Sequence, residues 1–136
     1  MHTTTVRVRY SETDAMGIVH HSNYLRWFEV GRVELMRDGG FPYTEFEAQG
    51  ITSPVIESAL RWRSPARFDE LLTIETQIAE VSPTRIRFEY RILRDGVLLC
   101  EGHTGHAFTG ASGRPVALTK TAPAIWERIR AGVTTA

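Results

Sequence analysis

The chain has 136 residues, 42% of them hydrophobic and 24% charged, with 16 Lys and Arg balanced by 16 Asp and Glu. A chain of roughly 100 to 150 residues can bury about two thirds of its unfolded surface in one core, so a single domain over residues 1–136 with no linker is expected. Zero net charge argues against a nucleic-acid binder. MHTTTVRVRY has no signal-peptide core and no run approaches the roughly 18 apolar residues that span a bilayer, which points to a soluble cytoplasmic protein.

Residues 3–10 alternate, with Val6, Val8 and Tyr10 on one face and Arg7 and Arg9 on the other, the period of a half-buried strand. Over residues 23–38, Leu25, Trp27, Phe28, Val30, Val33, Leu35 and Met36 cover more than one stripe, so this helix should be largely buried. Ser22 is placed as its N-cap, and Gly39 and Gly40 as its left-handed stop. At about 1.5 Å per residue the helix would run about 24 Å, enough to cross a small sheet.

FPYTEFEAQG reads as a loop, followed by strands over 55–63 and 70–81 with SPARFDE and its Pro65 between them. Residues 84–94 alternate most cleanly, with Ile86, Phe88, Tyr90 and Ile92 inward and Arg85, Arg87, Glu89 and Arg91 outward. Asp95 and Gly96 give a two-residue hairpin signal, and the next strand covers 97–109. GASGRP turns the chain, a short strand is placed over 115–118, and APAIWERIR makes a short terminal helix with Pro123 in its first turn. One long apolar helix beside consecutive strands and tight turns is α+β: an antiparallel sheet of five or six strands wrapped around the helix.

The histidines do not make a metal site by spacing. His103 and His106 lie three apart on a strand, which sends them to opposite faces, and His20 and His21 are adjacent, with only Asp14 near them. There is no GxSxG elbow and no phosphate-binding glycine loop. Cys100, the single cysteine, cannot form an internal disulfide and reads as a small buried strand residue. What remains is Asp14, with Gly17 to bend the loop and a helix beginning shortly after. A helix start presents unpaired N–H groups and partial positive charge that can stabilise an oxyanion, and a carboxylate beside it completes the parts for acyl-transfer hydrolysis. Read by spacing, Asp14 also fits an aspartate that simply bonds its own turn, the commoner arrangement.

The segment YSETDAMGIVHHSNYLRWFEVGRVELM closely resembles the opening of hotdog-fold acyl-CoA thioesterases of the 4-hydroxybenzoyl-CoA thioesterase type, a group that includes the Tol-Pal-associated thioesterases. Thr13, Asp14, Gly17, Val19, Tyr24 and Glu29 match that family's pattern, and RSPARFDELLTIET resembles its turn and third strand. The resemblance implies that Asp14 is the catalytic carboxylate, attacking the thioester or activating water, and that the His21 backbone N–H polarises the carbonyl. It implies that His20, Tyr24 and Glu29 line or support the substrate site, and that neither a metal nor another cofactor is needed. Arg61, Arg63 and Arg67 cluster at the Pro65 turn and Arg85 lies at another, and guanidinium forks suit the phosphates of coenzyme A. Trp27, Phe28, Trp62 and Phe68 either line an acyl pocket or fill the core. The resemblance further implies a homodimer or homotetramer with sites between subunits. Two other readings stay open: an enoyl-thioester hydratase or dehydratase on the same fold, and a non-catalytic module that binds acyl-CoA or acyl-carrier protein.

Overall fold

The computed structural model describes residues 1–135. Strand β1 (His2–Arg7) leads through a 3₁₀ turn at Tyr10–Glu12 to helix α1 (Ser22–Asp38) and a short helix α2 (Tyr43–Ala48). Strands β2 (Val55–Trp62), β3 (Leu71–Val81), β4 (Arg85–Arg94) and β5 (Val97–Ala107) follow, and helices α3 (Leu118–Thr121) and α4 (Pro123–Thr135) close the chain. The five strands form one antiparallel sheet in the order β1-β3-β4-β5-β2. This α+β sheet, curled around α1, is the hotdog fold. Among the described residues no helix is long and apolar enough to cross a membrane.

Alternation sets the inner face. Leu72, Ile74 and Ile78 of β3 and Ile86, Phe88, Tyr90 and Ile92 of β4 are all buried, packed against Tyr24, Trp27 and Phe28 of α1. The rings of Phe28 and Tyr90 stack at 4.1 Å and 3°. Helix and sheet approach closely at Gly31, where a Cβ would lie 2.8 Å from Cγ2 of Ile74 and closer still to Oγ1 of Thr76.

Several expectations need correction. Strand β1 stops at Arg7, because the Arg9 N–H donates to the Glu12 carboxylate at 2.6 Å instead of to a neighbouring strand; Tyr10 consequently turns outward and is 76% exposed. FPYTEFEAQG contains α2, which seats Phe46 in the core. Residues 115–118 make no strand: Pro115 forms an isolated bridge with Thr109, and Leu118 starts α3 with its N–H on the Pro83 carbonyl. Ser22 is the first residue of α1 rather than its cap, its hydroxyl bonded to Nδ1 of His20 at 2.8 Å. Gly40 takes the left-handed stop with φ +84, while Gly39 stays right-handed. Only one stripe of α1 is buried within the chain, and Leu25, Glu29 and Val30 are exposed on the other side, since the sheet covers the helix from one direction.

Candidate active site at the start of the long helix

Residues 13–19 form a closed loop whose neck is an antiparallel bridge between Thr13 and Val19, pinned by the His20 N–H donating to the Glu12 carbonyl at 2.8 Å and the Asp14 N–H donating to the Ile18 carbonyl at 3.0 Å. The loop rests on the segment after β2 through the Val19 N–H, which donates to the Ala66 carbonyl at 2.9 Å. At its tip Gly17 has φ +78, a left-handed conformation that disfavours any side chain, and its N–H donates to the Asp14 carbonyl at 3.0 Å. Asp14 is half-buried, and its Oδ1 accepts the Met16 N–H at 2.9 Å. The turn aspartate that bonds its own loop is therefore present, and it uses one oxygen. Oδ2 accepts no bond from the described residues, so the turn orients the carboxylate and leaves half of it available.

Asp14 and His21 line one cleft of about 360 Å³ with Met16, Ile18, Val19, Tyr24, Trp62, Arg63, Ser64 and Pro65. His21 stands at the N-cap of α1 and caps it with no side-chain bond. Trp62 walls the cleft at 48% exposure, edge-on to Tyr24 at 6.0 Å and to His21 at 6.3 Å. Tyr24 is buried, which pushes its phenol up, and the backbone of Ala66 partly offsets the shift. The chemical capacity of the cleft is that of a carboxylate facing an apolar slot, with a helix start to receive negative charge.

The other expected site residues scatter. The ring of His20 lies 4.2 Å from that of His21, tilted by 34°, but His20 itself is exposed outside the cleft, its Nδ1 on Ser22. The two adjacent rings thus lie against each other. Arg63 reaches the cleft with its guanidinium bound to Glu101 at 2.6 Å, which draws the Glu101 carboxyl below the usual carboxylate range. Arg61 stands opposite Glu101 on the outer face, and Arg67 is exposed in the turn. Arg85 pairs with Ala107 at the end of the sheet away from Trp62 and Cys100, so this chain does not bring it to Asp14. Glu29, expected to line or support the substrate site, is instead exposed on the lip of a separate cavity with Arg32 and Ser53. Trp27 and Phe28 belong to the core, whereas Phe68 is 53% exposed, edge-on to Tyr10.

Burial pushes the Cys100 thiol up to about 12, which removes it as a nucleophile at neutral pH. His103 lies on the outer face near Glu57, and His106 is buried on the inner face between Thr104 Oγ1 at 2.8 Å and the Ser53 carbonyl at 2.9 Å. Among the described residues no three His, Cys, Asp or Glu side chains converge as a metal site would require. Sequence reasoning missed Glu12 and Asn23, both 5% exposed, which are joined by the Asn23 side-chain amide donating to the Glu12 carbonyl at 2.9 Å. An amide near the start of a buried helix, a residue type that favours caps over interiors, is the one sequence signal that could have pointed to them.

Comparison with known proteins bears on the same cleft. A family model described as the thioesterase-like superfamily matches residues 8–129. The chain is 35% identical over 120 residues to YneP, a putative acyl-CoA thioesterase of Bacillus subtilis, covering 87% of each chain. It is 34% identical over 127 residues to the acyl-CoA thioesterase YbgC of Haemophilus influenzae, covering 92% of this chain and 93% of that one. Among solved structures it superposes on a DHNA-CoA thioesterase from Staphylococcus aureus with a TM-score of 0.92 at 30% identity, covering 98% and 90%. It also superposes on the hypothetical protein TT1821 of Thermus thermophilus with a TM-score of 0.89 at 39% identity, covering 96% and 98%. Sequence and fold agree over nearly the whole length, and the chain belongs to the thioesterase-like superfamily.

Proposed function

We propose that this protein is an acyl-CoA thioesterase that hydrolyses a thioester to a free carboxylic acid and coenzyme A, with Asp14 as nucleophile or general base and the His21 backbone N–H as oxyanion donor. The observation that carries the reading is that Asp14 and His21 line one cleft, Asp14 with one carboxylate oxygen and His21 with a helix-start N–H that find no partner among the described residues. A carboxylate with one oxygen left unbonded can serve in either role. As a base, Asp14 takes a proton from water while the water oxygen bonds to the carbonyl carbon; the C–S bond then breaks and the thiolate leaves with the proton that Asp14 took, which restores the carboxylate. As a nucleophile, Asp14 bonds to the carbonyl carbon and the C–S bond breaks to expel the coenzyme A thiolate; water then cleaves the mixed anhydride, returning the Asp14 carboxylate and supplying the proton that the thiolate takes up. Both routes consume one water and need no cofactor. Negative charge grows on the carbonyl oxygen in each, and a donor fixed there before reaction contributes roughly 100- to 1000-fold in rate.

The apolar wall of Met16, Ile18, Trp62 and Pro65 supports an acyl subsite, and Arg63 at the rim supports a place for coenzyme A phosphate. The exposed apolar residues Val55, Ile56 and Trp62 on edge strand β2, with Leu25 and Val30 on α1, support assembly into a homodimer or homotetramer. The test is thiol release from short-chain, long-chain and aryl acyl-CoAs. Release from at least one class is expected. Hydration of an enoyl-CoA without thiol release, or tight thioester binding without turnover, would overturn the reading in favour of a hydratase or a binding module.

A further inference from the structure

The backbone donors over residues 20–24 can be accounted for one by one. The His20 N–H donates to the Glu12 carbonyl at 2.8 Å, the Asn23 N–H to the His20 carbonyl at 3.1 Å and the Tyr24 N–H to the His21 carbonyl at 3.4 Å. The Ser22 N–H donates to Nδ1 of His20 at 3.3 Å. That leaves the His21 N–H, which finds no acceptor among the described residues. Since the first turn of any helix has several orphan donors, something must decide which one stays open.

Asn23 is placed to decide it. Its Nδ2 donates to the Glu12 carbonyl at 2.9 Å and to the His20 carbonyl at 3.4 Å, so one side-chain amide binds both sides of the neck of the Asp14 loop. The Glu12 carbonyl thereby receives two N–H groups, from His20 and from Asn23, and has no lone pair left for a third. Glu12 is fixed in turn by its own buried carboxylate, which accepts the Arg9 N–H at 2.6 Å. Because Asn23 sits in the first turn of α1, these bonds tie the helix start to the loop that carries Asp14.

We infer that Asn23 is a positioning residue of the thioester site: by binding the Glu12 and His20 carbonyls it holds the Asp14 loop in register with α1 and leaves the His21 N–H as the open donor. The kinetic part of this inference rests on the thioesterase reading; the clamp itself does not. Asn23→Asp keeps the shape but sets a carboxylate against two carbonyl oxygens. Because the donor acts on developing charge, the expected result is a kcat at least about tenfold lower with KM within about threefold of wild type, a smaller loss than outright removal of an oxyanion donor. A merely structural asparagine would lower thermal stability without that split. Amide hydrogen exchange supplies the second readout: the His20 N–H should be protected in the wild type and at least tenfold less so in the variant.

A folded Asn23→Asp enzyme with kcat within twofold of wild type overturns the inference, as does a rise in KM at unchanged kcat. If that variant does not fold, Asn23→Ser, which keeps a smaller donor, is judged by the same two readouts. If the wild type releases no thiol, the thioesterase reading fails by itself. The His20 exchange rate then decides the clamp, and unchanged protection overturns it.

Discussion

Gly31→Ala sets two effects of opposite sign against each other. Alanine in a helix interior gains about 1 kcal/mol over glycine from backbone entropy. Here, however, the new methyl would lie 2.8 Å from Cγ2 of Ile74 and closer to Oγ1 of Thr76, and neither neighbour is the far end of a flexible side chain. Strand β3 cannot step back cheaply, because it is bonded to β1 on one side and β4 on the other: Thr76 pairs with His2 and with Tyr90. Overpacking costs about 1 to 3 kcal/mol, and two contacts under 3 Å put this site in the upper part of that range, about 2 to 3, so after the helix gain the expected net loss is about 1 to 2 kcal/mol. For a chain of this size that lowers Tm by about 3 to 8 °C. Far-ultraviolet circular dichroism at fixed protein concentration measures it, the fixed concentration guarding against assembly effects. Thr76→Ala in the same background removes the nearest atom, whose hydroxyl is buried without a hydrogen-bond partner. The double variant should therefore be more stable than the sum of the single losses by about 0.5 to 1 kcal/mol. A Gly31→Ala protein at least as stable as wild type would refute the close-approach argument, and strict additivity would refute the role given to Thr76.

The remaining predictions concern three side chains. Cys100→Ser should leave thioester turnover within about twofold of wild type, because the buried thiol, pushed up to about 12, is unavailable as a nucleophile; the folded protein should also resist a thiol reagent that labels it after unfolding. Burial holds the His106 imidazole below its ordinary value. The neutral form is thus favoured in the fold, and the stability this gives is complete above the unfolded value of about 6.5 and lost as pH falls below it toward the folded value. His106→Gln should cost about 1 to 3 kcal/mol at pH 7.5 by breaking its bonds to Thr104 and Ser53. That difference from wild type should narrow at pH 5 in parallel thermal melts. His21→Ala should keep kcat/KM within about fivefold, far from the roughly 100-fold or greater loss of an oxyanion donor, because the donating group is backbone.

The alternation over 84–94 is legible in the sequence because each side chain of β4 faces either α1 or the outside, and a period of two leaves no third choice. The existence of α1 is equally plain, but its buried side is not. Apolar residues run all round it, and only the position of the sheet decides that Trp27 and Phe28 go in while Leu25 and Val30 stay out. Helix α2 escapes notice because its 6 residues are too few to show a period. In the site, Asp14, Gly17 and His21 are close neighbours in the chain, so motif reading reaches them. Trp62 and Pro65 arrive from the end of β2 by tertiary folding, which no local pattern records. Arg85 shows the converse: its charge suits a phosphate, yet strand register carries it to the far end of the sheet.

The most direct test of the account is kcat/KM for thiol release by Asp14→Asn against wild type on the best acyl-CoA substrate. The amide oxygen can still accept the Met16 N–H, so loop and fold should survive and Tm should hold. The account predicts a loss of at least about 100-fold, equivalent to about 2.7 kcal/mol of transition-state stabilisation. An Asp14→Asn enzyme that turns over at the wild-type rate would contradict it.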